Sequence, residues 1–240
     1  MKALLTHVDR ARGTPATRLP GERELAATYG ASRTSVREVL GIFEALRLIE
    51  RRPQSGIYVR EADTDASIDA LVLQEALDVR HSADAYEQAQ EARVILEIEA
   101  ARLAAERRTA ADLDVMRAVI DKSRISLREG KNLADDDEAF HLALIAAAKN
   151  PVLLRIAKSL YLITRSVRIS YFDLPGAAKS SLPQHERMLE SLEAGDQARA
   201  VDLMRQHYRL STRYWRRAKK PRLPSQAKRS RSSVPIRKFA

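Results

Sequence analysis

Three of the five histidines in this 240-residue chain lie in its C-terminal half, at positions 141, 185 and 207. Asp137 and His141 stand four apart in Asp137-Glu138-Ala139-Phe140-His141, so on a helix both project from one face and could chelate one ion together. His185 lies ten residues before Gly195, and His207 eleven after Asp196. If the Gly195-Asp196 corner joins two antiparallel helices, both imidazoles stand about 15 Å from the turn at 1.5 Å per residue, side by side. Three imidazoles and a carboxylate suit Zn, Ni, Mn or Fe rather than Ca, whose preferred partners are oxygens. The chain has no cysteine, so any metal must use His, Asp or Glu. A single histidine on a mostly apolar helix is ordinarily a satisfied core residue; the joint spacing is what argues for a metal.

A second chemistry lies near the N-terminus. Between 32 and 46, Val36, Val39, Leu40, Phe43 and Leu46 recur at helical spacing and define one buried stripe. Thr34, Arg37, Glu38 and Gly41 point the other way, with Arg33 on the flank near the helix start. Arginine can bond guanine bidentately in the major groove, while hydroxyls and free helix amides can hold phosphate. An ordinary amphipathic surface helix would show the same stripe. The elements around it favour DNA: a helix over about 21–29, the tight Gly30-Ala31 corner, then a hairpin over 48–59 around Pro53-Gln54-Ser55-Gly56. That is helix, turn, helix and wing.

Charge divides along the chain in the same sense. Residues 1–60 carry 11 Lys/Arg against 6 Asp/Glu, residues 61–210 carry 20 against 26, and residues 211–240 carry 11 against none. A basic head and tail flanking an acidic middle are suited to meeting a polyanion at the ends. No apolar run could span a bilayer and the start has no export signal, so a cytoplasmic protein is expected.

The expected fold is mostly α: a winged helix-turn-helix of three helices and a two-stranded wing over 1–60, a polar linker over 61–66, an antiparallel bundle over 67–217, and a basic disordered tail over 218–240. The spacing predicts six or seven helices after residue 66. Their breaks fall near 79–82, 108–110, 129–132, 150–151, 173–176 and 195–196, where capping residues such as Thr109 with Asp112, and Asp196 after Gly195, are found.

Leu19-Pro20-Gly21-Glu22-Arg23-Glu24-Leu25-Ala26 through Ser32-Arg33-Thr34-Ser35-Val36-Arg37-Glu38-Val39-Leu40 resembles the GntR family of bacterial regulators, and Gly56-Ile57-Tyr58-Val59 extends the match. The resemblance implies DNA contact by Arg23, Ser32, Arg33, Thr34, Ser35 and Arg37, and by the wing tip Gln54, Ser55 and Gly56. Two positions depart from the family pattern. Arg47 stands where glycine is frequent, and Gln54-Ser55 replaces a frequent glycine plus basic residue, so the wing tip lacks the basic side chain found there in the family.

Asp137, Phe140 and His141, then Asn150, His185, Gly195-Asp196 and His207 resemble the FCD ligand-binding domain of the FadR-like subgroup. The match spans roughly 15–215. It implies Asp137, His141, His185 and His207 as ligands to a divalent ion (Zn, Ni or Mn), whose open positions an organic-acid effector can reach. Arg93, followed by Glu97, is the candidate to pair with an effector carboxylate; an intrahelical Arg93–Glu97 salt bridge is the rival reading. The function expected is a homodimeric regulator of a palindromic operator in double-stranded DNA. The competing readings are a constitutive DNA binder with a structural metal and a metal-dependent hydrolase.

Overall fold

The computed structural model describes residues 1–11, 17–60, 65–79 and 83–218. The N-terminal unit is built from α1 (Lys2–Ala11), β1 (Arg18–Leu19), α2 (Glu22–Tyr29), α3 (Arg33–Ala45), β2 (Ile49–Arg52) and β3 (Gly56–Val59). Gly30, at φ 60°, ends α2 in the left-handed region, and two residues later Ser32 caps α3 by accepting from Ser35 N–H at 3.1 Å. This short corner sets the angle between the two helices. Val36, Leu40 and Phe43 from the α3 stripe pack with Leu5, Val8, Leu25, Leu48 and Ile49 in one core.

The wing pair is part of a three-stranded antiparallel sheet of order β1-β3-β2. β1 lies on the free edge of β3, with Arg18 opposite Tyr58 and Leu19 opposite Ile57. A two-residue strand is too short to show alternation in sequence; the burial of Leu19 under the sheet is what places it. Arg47 takes φ 58°, the left-handed conformation that glycine enters freely, which accounts for the glycine frequent at that position in the family.

α4 (Ile68–Ala76) is followed by α5 (Ala83–Arg107), α6 (Ala110–Arg128), α7 (Ala134–Ala147), α8 (Pro151–Ile163), α9 (Arg165–Phe172), α10 (Ala177–Glu193) and α11 (Gln197–Ala218). Among the described residues this is eight helices where six or seven were expected. The extra boundary is Thr164, which closes α8 and opens α9 with no Gly, Pro or Asn to announce it. The predicted caps are in place: Thr109 and Asp112 form a reciprocal capping box and Asp196 accepts from Arg199 N–H; at the expected 150–151 break, Asn150 caps α8 by accepting from Val152 and Leu153 N–H.

Ala100, Ala101, Ala104 and Ala105 are buried along α5, so α7, α8, α10 and α11 can approach it closely around Phe140, Leu144, Tyr161, Met188 and Met204. α4 has two partners. Ala70, Leu73 and Leu77 join the core of the N-terminal unit, while Leu71 and Val72 pack against Ala89 of α5 and Leu160 and Ile163 of α8. Among the described residues no helix is long and apolar enough to cross a membrane. The expected linker falls largely, and the expected basic tail almost wholly, outside the described residues.

Candidate metal centre and DNA-reading face

Asp137 and His141 project from successive turns of α7, His185 from α10 and His207 from α11. Gly195, at φ 70°, turns the chain between the last two helices, and the His185 and His207 rings stand 5.2 Å apart between centroids. The two imidazoles do sit at one height of the hairpin, as their distances from the corner require. One ligand atom from each of the four residues lies within 4.8 Å of every other, and all four side chains are buried. Asp137 Oδ1 is 3.4 Å from His185 Nε2 and 3.7 Å from His141 Nε2.

The surroundings leave one imidazole nitrogen, His141 Nε2, without a hydrogen-bond partner where the four groups converge. Gln184 donates its amide N–H to Ser180 O at 2.6 Å, which turns its Oε1 toward His207 Nδ1 at 3.1 Å. His207 therefore carries its proton on Nδ1 and presents Nε2 as a lone pair. His141 Nδ1 lies 2.5 Å from Glu97 Oε2 as a close charge contact rather than a well-aligned hydrogen bond, and its Nε2, fully buried, makes no hydrogen bond. A buried polar atom without a partner is costly, and a cation among these four groups would satisfy it. Ser181 Oγ lies 3.5 Å from Asp137 Oδ1 and 3.4 Å from His185 Nε2, while Phe140 stacks on His185 at 4.2 Å and seals one side.

Protonation follows from the same packing. Burial alone would raise the Asp137 carboxyl, but the three imidazoles around it outweigh that and hold it far below the ordinary carboxylate value. Burial, with His141 beside them, pushes His185 and His207 down, so both are neutral. The Asp137 carboxylate beside neutral His185 and His207 is in the state that binds a divalent metal, and the cluster can hold one.

Behind the cluster runs a buried polar network of which the sequence announces only the Arg93–Glu97 pair, by its i+4 spacing. Glu97 Oε1 accepts from Tyr161 Oη at 2.7 Å and from Arg93 Nε at 3.0 Å. Burial would raise Glu97, but His141 and Arg93 bring it down to about 2. Arg93 also donates from Nε and Nη2 to Tyr208 Oη at 3.2 and 3.1 Å and from Nη1 to Thr164 Oγ1 at 3.4 Å, and it lies over the Tyr161 ring. All three of its nitrogens are engaged, so an effector carboxylate would compete with Tyr208 or Thr164 for them. The only sign of Glu97 in the sequence is its i+4 spacing from Arg93; that it faces His141 depends on how α5 packs on α7.

On the other unit, Arg23, Ser32, Arg33, Thr34, Ser35 and Arg37 are all exposed along α2 and the first turns of α3, as are Gln54 and Ser55 at the wing tip, with Gly56 half-buried. Gly56 has φ 130°, and a Cβ there would lie 2.8 Å from the Arg18 side chain. Ser55 Oγ and Tyr58 Oη hydrogen-bond at 2.8 Å. Arg37 is not free: it donates to Glu22 from Nε and Nη2, and those bonds hold the Glu22 carboxyl below its ordinary value.

Comparison with known proteins bears on both halves. The model of the FCD domain matches residues 88–210, and that of the bacterial regulatory proteins, gntR family, matches residues 1–59. The chain is 31% identical to the HTH-type transcriptional regulator LutR of Bacillus subtilis, over 80% of this chain and 89% of that protein. It is 26% identical to the Galactonate operon transcriptional repressor of Escherichia coli, over 76% of this chain and 80% of that one. Its fold is similar to the solved structure of Lar, which controls expression of the Listeria monocytogenes agr system, at TM-score 0.59 and 20% identity over 90% of this chain and 97% of that one. It is also similar to E. coli McbR/YncC, at TM-score 0.50 and 19% identity over 89% and 96% of the two chains. The hydrolase reading falls away, since the Bacillus subtilis and galactonate-operon relatives are transcription regulators. The FCD match alone covers more than half of the 240 residues, and the chain belongs to the gntR family of bacterial regulatory proteins, as a DNA-binding transcription regulator with a C-terminal FCD domain.

Proposed function

We propose that this regulator is a homodimer whose affinity for a palindromic operator is set by a small organic acid bound beside a divalent metal, the metal being held by Asp137, His141, His185 and His207. The observation that carries the reading is the convergence of four buried ligand atoms within 4.8 Å, with Glu97 and Gln184 turning two of the imidazoles toward the common point. Zn, Ni and Mn match this donor set. The metal would supply open coordination positions for an effector oxygen. Arg93 would add a cation behind it, exchanging Tyr208 or Thr164 for a carboxylate. A relative named for a galactonate operon, galactonate being a sugar acid, supports the ligand class.

Coupling to DNA would run through α4. Arg93 reaches Thr164 at the α8–α9 junction, and two residues on Ser166 N–H donates to Glu75 of α4 at 3.3 Å. The neighbouring Gln74 donates to Asp9 of α1 at 2.8 Å inside the DNA-binding unit. A displacement at the acid site therefore has a packed route to the head, and two heads related by two-fold symmetry would change their spacing on paired half-sites.

The test is metal analysis of the purified protein beside a His185→Ala/His207→Ala variant, with organic acids screened by thermal shift on both. The expected result is one equivalent of metal lost in the variant, and an acid that stabilises only the wild type and changes the Kd for duplex DNA selected by it. Metal without any acid response would leave a constitutive binder with a structural ion. Neither metal nor response would overturn the reading.

A further inference from the structure

Glu22 opens α2 and Arg37 lies in the second turn of α3, and the tight corner between these helices brings the two side chains together. Arg37 Nε lies 3.2 and 3.1 Å from Glu22 Oε1 and Oε2, and Nη2 lies 2.8 Å from Oε2. The carboxylate thus occupies one edge of the guanidinium. Nη1 makes no hydrogen bond among the described residues. The Arg37 side chain is 62% exposed against 21% for Glu22, so the acid sits inside and the Nη1–Nη2 edge is left toward solvent. Arg51 of β2 closes the other side: its Nη1 is 3.9 Å from Glu22 Oε1, its Nε is 3.2 Å from Glu44, and its Nη2 donates to Arg37 O at 3.4 Å.

Guanine offers O6 and N7 side by side, and an arginine reads both with two parallel N–H donors. We propose that Glu22 is a specificity-determining residue of this regulator: it holds Arg37 in one rotamer with the Nη1–Nη2 edge outward for a single guanine. The inference rests on α3 being the helix that reads DNA. Holding the fork before DNA arrives removes the ordering of a long side chain from the binding step. It also places a negative charge next to the phosphates, which opposes binding to any duplex. A buttress of this kind therefore has two effects of opposite sign. Its removal lowers discrimination at one base and leaves affinity for arbitrary DNA unchanged or raised.

The experiment selects binding sites from a randomised duplex library with the wild type, Glu22→Gln, Arg37→Ala, the double variant and Arg33→Ala, with melting temperatures measured alongside. Arg37→Ala is expected to lose one guanine from the wild-type motif. Glu22→Gln is expected to weaken preference for that same guanine about tenfold, to keep the other positions, to bind the unselected library at least as well as the wild type, and to add nothing in the Arg37→Ala background. The proposal is overturned if Glu22→Gln keeps that guanine at wild-type preference, or if it loses every position together with a fall in melting temperature. It falls equally if Arg37→Ala leaves the motif intact. Arg33→Ala separates these outcomes from failure of the helix itself: a motif that survives all the variants would mean that α3 does not read the bases.

Discussion

Glu97 of α5 and His141 of α7 meet with Oε2 and Nδ1 2.5 Å apart, both side chains fully buried. A carboxylate behind an imidazole fixes its tautomer and makes the far nitrogen a stronger donor to a metal. Glu97→Gln keeps the shape and removes the charge. It is expected to lower metal affinity about 10- to 100-fold, read by competition against a chromogenic chelator. Unchanged affinity would reduce Glu97 to a partner of Arg93 and Tyr161. Glu97→Ala should do more, because it strands Arg93 as a buried unpaired cation at a cost of about 3–5 kcal/mol, measured by denaturant unfolding.

At the DNA-reading face, Arg33 is exposed in the first turn of α3 with no ion pair among the described residues. Arg33→Ala is expected to reduce discrimination between selected and random duplex by about 1–3 kcal/mol while the melting temperature stays within the range of a surface substitution. Equal loss on both duplexes would make Arg33 a phosphate contact.

A third expectation concerns assembly. Ile95 of α5 is 67% exposed, and Val152, Ile156 and Leu162 of the adjoining α8 are 62%, 43% and 45% exposed. Apolar side chains of this size on neighbouring helices suit burial against a second copy. Arg155 and Lys158 on α8, and Glu91 on α5, make no ion pair among the described residues, and a two-fold axis could set the bases of one copy against the acid of the other. Ile156→Asp should therefore shift the protein to monomer in analytical ultracentrifugation and weaken binding to a two-half-site duplex more than to a single half-site. A sedimentation profile identical to the wild type would move the interface elsewhere.

The basic C-terminal segment carries charge whatever its conformation: 11 Lys/Arg and no acid over residues 211–240. Truncation after Arg217 should weaken binding to all duplexes and flatten the dependence of log Kd on log salt by about 0.9 for each phosphate no longer neutralised. An unchanged slope would show the segment to be a bystander.

Relations inside one element are legible in the sequence itself. The α3 stripe, the caps at Thr109 and Asp196, and the pairing of Asp137 with His141 follow from the period of a helix and the chemistry of its ends. The meeting of His185 with His207 is legible too, because a glycine corner makes their heights depend on two residue counts alone. The third strand at Arg18–Leu19 and the boundary at Thr164 are not, since neither has a periodicity or a breaking residue to mark it. Only the tertiary structure decided that Glu97 backs His141, that Gln184 turns His207, that Arg93 is engaged on every nitrogen, and that Glu22 holds Arg37. The members of each pair stand on different helices, or their orientation is set by a neighbouring one. A shift of one residue in helix register turns a side chain by about 100°, so contact between such groups is fixed by the packing of the core between them, which no local pattern in the sequence encodes.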